Sequence, residues 1–242
     1  MDYREVFYQR YVQSRLTSPA PESIENLAPR SSYLDRLIRL HFPQDRSAAI
    51  VEVGCGHGAL IYFARQLGYR NITGFDRSPE QVAAARRLDI DGVREGDLFS
   101  ALRAQANESV DVVVAFDVIE HLTKDELMEF TSESHRVLRC GGRCILHTPN
   151  GGSPFFGIIR YGDLTHEQAF TRETISQLFL VYGFSSIKCY EDTPIPRGLR
   201  SAARWLVWKC IRGALRLYLA AETGAGGKDH IFTQNLLAVA IK

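Results

Sequence analysis

Short apolar runs alternate with segments of helical spacing along most of this 242-residue chain. Residues 49–53 form one such run, ending in glycines, as expected of a strand buried in a parallel sheet. The same pattern predicts strands at 72–75, 93–95, 110–116, 143–148, 186–190 and 235–241. Helical periodicity covers 59–67, 79–87, 125–138, 172–182 and 199–221, with a loop over 149–171. Upstream, 1–16 reads as a short aromatic helix before a proline-containing linker at 18–21, and 33–42 as a helix that stops before Pro43. This succession predicts an α/β fold, a parallel sheet with helices on both faces and right-handed crossovers. Its parts would be an N-terminal helical extension, 1–47, and a Rossmann-like domain, 48–242, with inserted helices at about 150–182 and 198–222.

Composition narrows the class. At 45% hydrophobic and 24% charged residues the chain is globular rather than disordered. A net charge of +1 exerts no global pull on nucleic acid. Five scattered cysteines lack zinc-ribbon spacing and suggest reduced thiols in a cytoplasmic protein. The first residues carry no apolar signal-like core, and no run reaches the ~20 apolar residues of a membrane span.

Candidate chemistry gathers where strands end. Glu52-Val53-Gly54-Cys55-Gly56-His57-Gly58 joins a strand to a helix through a glycine turn that lets a ligand lie against the main chain. A dinucleotide fingerprint would have its third glycine one place later, which argues against a nicotinamide dehydrogenase. Asp76 ends the second strand, where a carboxylate can accept both hydroxyls of a ribose. Asp97 and Leu98 follow the third strand, and Phe116-Asp117-Val118-Ile119-Glu120-His121-Leu122 follows the fourth. All four stretches fall at carboxyl ends of strands, where open α/β sheets bind ligands.

In their order and spacing these motifs resemble those of class I S-adenosylmethionine-dependent methyltransferases, especially the branch with ubiquinone-type O-methyltransferases. The resemblance covers about residues 48–190. It implies a three-layer sandwich around a seven-stranded, mostly parallel sheet with one antiparallel strand. It implies S-adenosylmethionine as cofactor, leaving as S-adenosylhomocysteine. Gly54, Gly56 and Gly58 would then lie along the methionine part, Asp76 at the ribose, and Asp97 with Leu98 at the adenine. Glu52 would orient the glycine loop or the cofactor amine, and Phe116 and Asp117 would border the sulfonium. Arg139-Cys140-Gly141-Gly142 departs from the family, which usually has proline before the glycine pair.

For an acceptor hydroxyl a base is useful, and histidine is the usual choice near neutral pH. His57 reads as packing or cofactor contact and His147 as a core or edge group. His166, three residues after Asp163, reads as the general base, its imidazole oriented by that carboxylate, with His121 as competitor. The alternative is that Asp163 and His166 only tie down the loop; a metal shared by Asp163, His166 and Glu167 is disfavoured, and no metal is expected. Residues 161–170 resemble bacterial methyltransferases of polysaccharide and lipid-linked glycan biosynthesis, which makes O-methylation of a sugar hydroxyl the leading reading. A phenol, quinone, lipid or amine acceptor is the alternative, and a non-catalytic cofactor-binding sensor or scaffold is the alternative of a different class. Nucleic acid is not expected as a partner.

Two peripheral segments stay open. The aromatic N-terminal helix (Tyr3, Phe7, Tyr8, Tyr11) is either a lid or plain packing. In 198–221, Leu199, Ala203, Leu206, Cys210, Ala214 and Leu217 make an apolar face and Arg200, Arg204, Arg212 and Arg216 a basic one. The preferred reading is packing on the sheet or a homodimer contact; the other is peripheral contact with the inner face of a membrane.

Overall fold

The computed structural model describes residues 3–10, 20–224, 227 and 229–242. Helix α1 spans Tyr3–Gln9, and a 3₁₀ turn, Ile24–Leu27, leads into α2, Ala28–His41. The sheet region follows as β1 (Ile50–Val53), α3 (Ala59–Gln66), β2 (Ile72–Asp76), α4 (Pro79–Arg87) and β3 (Val93–Glu95). It continues with α5 (Leu98–Arg103), β4 (Val110–Phe116), α6 (Lys124–Val137) and β5 (Leu138–Pro149). Beyond come α7 (Phe156–Arg160), α8 (Arg172–Val181), β6 (Ser186–Glu191), α9 (Leu199–Thr223) and β7 (Asn235–Ile241).

The seven strands are ordered β3-β2-β1-β4-β5-β7-β6. β7 is antiparallel to both neighbours, with Ala240 opposite Cys144 of β5 and Ile187 of β6, and the other pairings are parallel. The expected mostly parallel sheet with one antiparallel strand is therefore present. From β1 the chain winds outward to β2 and β3, then returns to β4 on the other side of β1. That reversal leaves a crevice at the carboxyl ends of β1 and β4, where the glycine turn lies.

Side chains alternate across β4 and feed two cores. Val112 and Val114 join Leu34 and Ile38 of α2 and Ile61 of α3 on one face. Val113 and Ala115 join Leu102 of α5, Phe130 of α6 and Phe179 of α8 on the other. Each such aliphatic or aromatic side chain contributes about 1.5–3 kcal/mol when fully buried. With both faces covered, the carboxyl edge is left to carry the ligand chemistry.

Several elements differ from the sequence reading. α5 was not anticipated: six residues are too few to display a period, and the helix depends on Asp97, whose Oδ2 accepts the N–H groups of Phe99 and Ser100. β5 begins at Leu138 rather than 143, because the Gly141-Gly142 pair makes an irregularity in a continuous strand instead of a separate turn. α2 begins five residues earlier than expected, with Pro29 in its first turn. Of the helix expected over 1–16, the described part is helical over Tyr3–Gln9, and Tyr11 lies outside the described residues. The face of α9 expected to pack on the sheet is exposed instead, Leu199, Leu206 and Leu217 all facing outward. No helix among the described residues is long and apolar enough to cross a membrane.

Candidate functional site

From β1 the chain turns through Gly54, Gly56 and Gly58, all with positive φ, into α3. A Cβ at Gly54 would stand 2.2 Å from Val118 Cγ2, so this glycine lets the turn close against the segment after β4. Gly56 N–H is held by Asp76 Oδ2 at 2.7 Å, while Asp76 Oδ1 takes the N–H of Ser78 at 2.8 Å. Asp76 thus braces the glycine turn from the end of β2. Burial pushes its carboxyl above the usual range, and these two N–H groups oppose that.

A cavity of about 410 Å³ opens over this turn. Its wall includes Glu52, Gly54, Gly56, Asp76, Asp97, Leu98, Phe116 and Asp117, so the expected cofactor residues converge except Gly58, which caps α3 outside the wall. Glu52 is 3% exposed, and its Oε2 has no hydrogen-bond partner. Burial holds its carboxyl well above the ordinary range, with Arg30 pulling the other way. A buried acceptor beside a glycine turn is suited to a ligand ammonium. At the far end, Asp97 caps α5 through one oxygen, with Leu98 and Phe99 supplying apolar surface. This donor set, an acceptor at one end, a carboxylate in the middle and an apolar face at the other, fits S-adenosylmethionine.

Asp117 takes a left-handed conformation, φ +53°, uncommon for a residue with a side chain. Its N–H bonds to His147 O at 2.8 Å and its Oδ1 meets His147 Nδ1 at 2.6 Å. His147 is buried, stacks on Phe116 at 5.0 Å, and has Nε2 3.5 Å from Asp192 Oδ2, an ion-pair contact without hydrogen-bond geometry. Burial disfavours the imidazolium, but Asp117 and then Asp192 overcome it and push the pKa up to about 10. His147 is thus a core group, as expected from its strand, and also a charged one.

The expected link from Asp163 to the His166 imidazole is not what the carboxylate makes. Asp163 Oδ1 accepts the N–H of Thr165 at 2.9 Å and its hydroxyl at 2.6 Å. Thr165 Oγ1 stands 2.9 Å from His121 Nδ1, and Thr165 O 3.2 Å from the same nitrogen. A carbonyl can only accept, and the hydroxyl hydrogen is directed to Asp163, so Nδ1 of His121 must carry the proton. In the neutral ring Nε2 is then the basic nitrogen. His121 lines the cavity; His166 and Asp163 do not. His166 packs edge-on against His121, centroids 4.8 Å apart, with its Nδ1 buried and unbonded. Glu120, His121 and His166 bring ligand atoms within 4.8 Å of one another, a different set from Asp163, His166 and Glu167. Burial and then Asp117 push the Glu120 carboxyl up.

Arg4 and Glu126, which the sequence reading missed, join the wall beside Tyr8 of α1, which it named. Arg4 of α1 pairs with Glu126 at 2.6 and 2.9 Å, and donates to His121 O at 3.3 Å. Tyr3 hydroxyl bonds Glu167, and Tyr8 lines the cavity beside Arg77. Glu126 also closes the capping box of α6 with Thr123, so one carboxylate serves both a helix start and α1. The local signal for these contacts was the aromatic character of α1. His57, by contrast, bonds Gln81 at 3.2 Å, a packing role within the wall.

Residues 51–146 match the family model described as a methyltransferase domain. Over 105 residues the chain is 40% identical to a probable S-adenosylmethionine-dependent methyltransferase of Mycolicibacterium smegmatis, covering 42% of this chain and 38% of that protein. It is 30% identical over 104 residues to a cyclopropane mycolic acid synthase of Mycobacterium tuberculosis, covering 42% and 36%. The chain thus matches well under half the length of these relatives. Its fold is that of a methyltransferase from Archaeoglobus fulgidus, with TM-score 0.68 at 18% identity and full coverage of both chains. A phosphoethanolamine N-methyltransferase of Haemonchus contortus, in complex with S-adenosylmethionine, gives 0.58 at 18% identity, over 98% of this chain and 56% of that one. Motif, cavity and relatives agree: residues 51–146 carry a methyltransferase domain, similar to those of S-adenosylmethionine-dependent methyltransferases and fitted to S-adenosylmethionine as its cofactor.

Proposed function

We propose that the chain methylates a hydroxyl of a small acceptor, a sugar or lipid-linked glycan, with His121 as general base. The supporting observation is the Asp163–Thr165–His121 chain of hydrogen bonds, which assigns the proton to Nδ1 of a histidine that lines the cavity. Bound S-adenosylmethionine supplies an electrophilic methyl on a sulfonium. Glu52 holds the cofactor amine, Asp76 the ribose, and Asp97 with Leu98 the adenine. Asp117 and Phe116 border the sulfonium, and buried His147, set between Asp117 and Asp192, holds Asp117 in its left-handed conformation. Asp163 is a positioning residue, acting through Thr165. This reading replaces His166 as the leading base, because the Asp163 carboxylate is directed to Thr165.

Release of S-adenosylhomocysteine over a panel of acceptors, starting with nucleotide sugars, tests the reading. His121→Ala should lower kcat by about 10²–10⁴ with the affinity for S-adenosylhomocysteine kept; His166→Ala should change kcat much less. Equal activity of wild type and His121→Ala would remove the base assignment. Product formation with no acceptor in the panel would leave the sensor or scaffold reading in its place. The Glu120, His121 and His166 cluster favours one second reading, a divalent cation that orients the acceptor hydroxyl. Under it, chelation abolishes turnover and His166→Ala is as damaging as His121→Ala.

A further inference from the structure

We propose that α9 is a docking surface for an anionic lipid bilayer. The helix has 25 residues, about 37 Å at the usual rise, and none of them is buried. Leu199, Leu206, Val207, Ile211, Leu217 and Tyr218 are all exposed, Leu199 at 92% and Leu217 at 72%. At about 100° per residue these six fall within an arc of about 140°. The opposite side faces the domain, where Arg212 Nε meets Glu191 Oε2 at 2.7 Å at the end of β6, and Leu219 lies beside Gly227. The helix is therefore held to the domain by its more polar side and turns its apolar side outward.

Charge selects the occupant. Arg200 lies within the arc near one edge, Arg204 just outside that edge, and Lys209 beyond the other. Residues 199–221 contain five cations and no acid. Arg212 is turned to Glu191, but Arg200 and Arg204 lie at the arc, so a second copy meeting it would bring these like charges together with no acid to offset them. An anionic headgroup layer supplies the countercharge, while the apolar arc enters the headgroup and acyl boundary. The cations bar the helix from spanning, consistent with the absence of a spanning helix among the described residues. Arg212 ties the helix to Glu191, and His230, three residues after Gly227, reaches Gly152 O at 3.4 Å just past β5. The helix is thus anchored along the carboxyl edge that carries the cofactor cavity. A bilayer there would present lipid-borne hydroxyls to that edge. The docking argument stands on the helix alone and is independent of the acceptor reading.

Sedimentation of the full chain with phosphatidylcholine vesicles, with and without phosphatidylglycerol, tests it. The expected result is sedimentation with the anionic vesicles only. Leu206→Glu with Leu217→Glu should abolish it while S-adenosylhomocysteine affinity is kept, which shows an intact fold. Arg200→Gln and Arg204→Gln should each weaken partition about fivefold. Failure of the wild type to sediment with anionic vesicles overturns the proposal. So does binding indifferent to the two leucine changes, or a lipid-indifferent dimer by light scattering that those changes dissociate.

Discussion

Asp76 illustrates how one side chain serves structure and ligand together. Both of its oxygens already hold backbone N–H groups, at Gly56 and Ser78, so its removal loosens the glycine turn as well as deleting the proposed ribose acceptor. Hydrogen bonds to a charged group are worth about 1.5–3 kcal/mol, so Asp76→Ala should weaken S-adenosylhomocysteine by roughly ten- to a hundredfold in calorimetric titration. Unchanged affinity would mean that the cavity binds by shape alone. His147 has a pH signature. Its pKa is raised in the fold from 6.5 to about 10, so the stability it contributes is complete below about 6.5 and is lost as pH rises through about 10. The melting temperature should fall over that interval, and His147→Gln should flatten the fall. An equal slope in the variant would assign the alkaline loss to other groups.

Among the elements, α1 is the one whose position depends on a few polar contacts. Arg4 to Glu126, Arg4 to His121 O and Tyr3 to Glu167 hold it over the cavity. Arg4→Ala removes a part-buried charged partner. It should raise KM for S-adenosylmethionine roughly fivefold, about 1 kcal/mol, with faster amide exchange in α1 and little change in melting temperature. Unaltered exchange would make α1 simple packing rather than a lid. The sheet elements were legible because each is a local pattern. β7 was read at its observed bounds, and α4 likewise, since a continuous apolar run and the Ser-Pro start are written in adjacent residues. α5 and the early start of β5 were not legible, because one depends on a single cap and the other on a glycine pair absorbed into a strand.

At the scale of the molecule, the order β3-β2-β1-β4-β5-β7-β6 brings four loops to one edge, and the cofactor cavity follows from that. The sequence by itself determined the strand and helix succession, the glycine turn, and the carboxylates Glu52, Asp76, Asp97 and Asp117, because each is set by neighbours in the chain. Only the tertiary structure decided which of the two candidate bases, His121 or His166, lines the cavity. The contact of His121 with Thr165 spans 44 residues and that of Arg4 with His121 spans 117, distances over which no local period carries information. It also decided the orientation of α9. The period marks an apolar face on that helix, but the Arg212–Glu191 pair turns the face outward rather than onto the sheet. Amphipathicity identifies two sides of a helix; the contacts of the folded chain determine which side meets the protein.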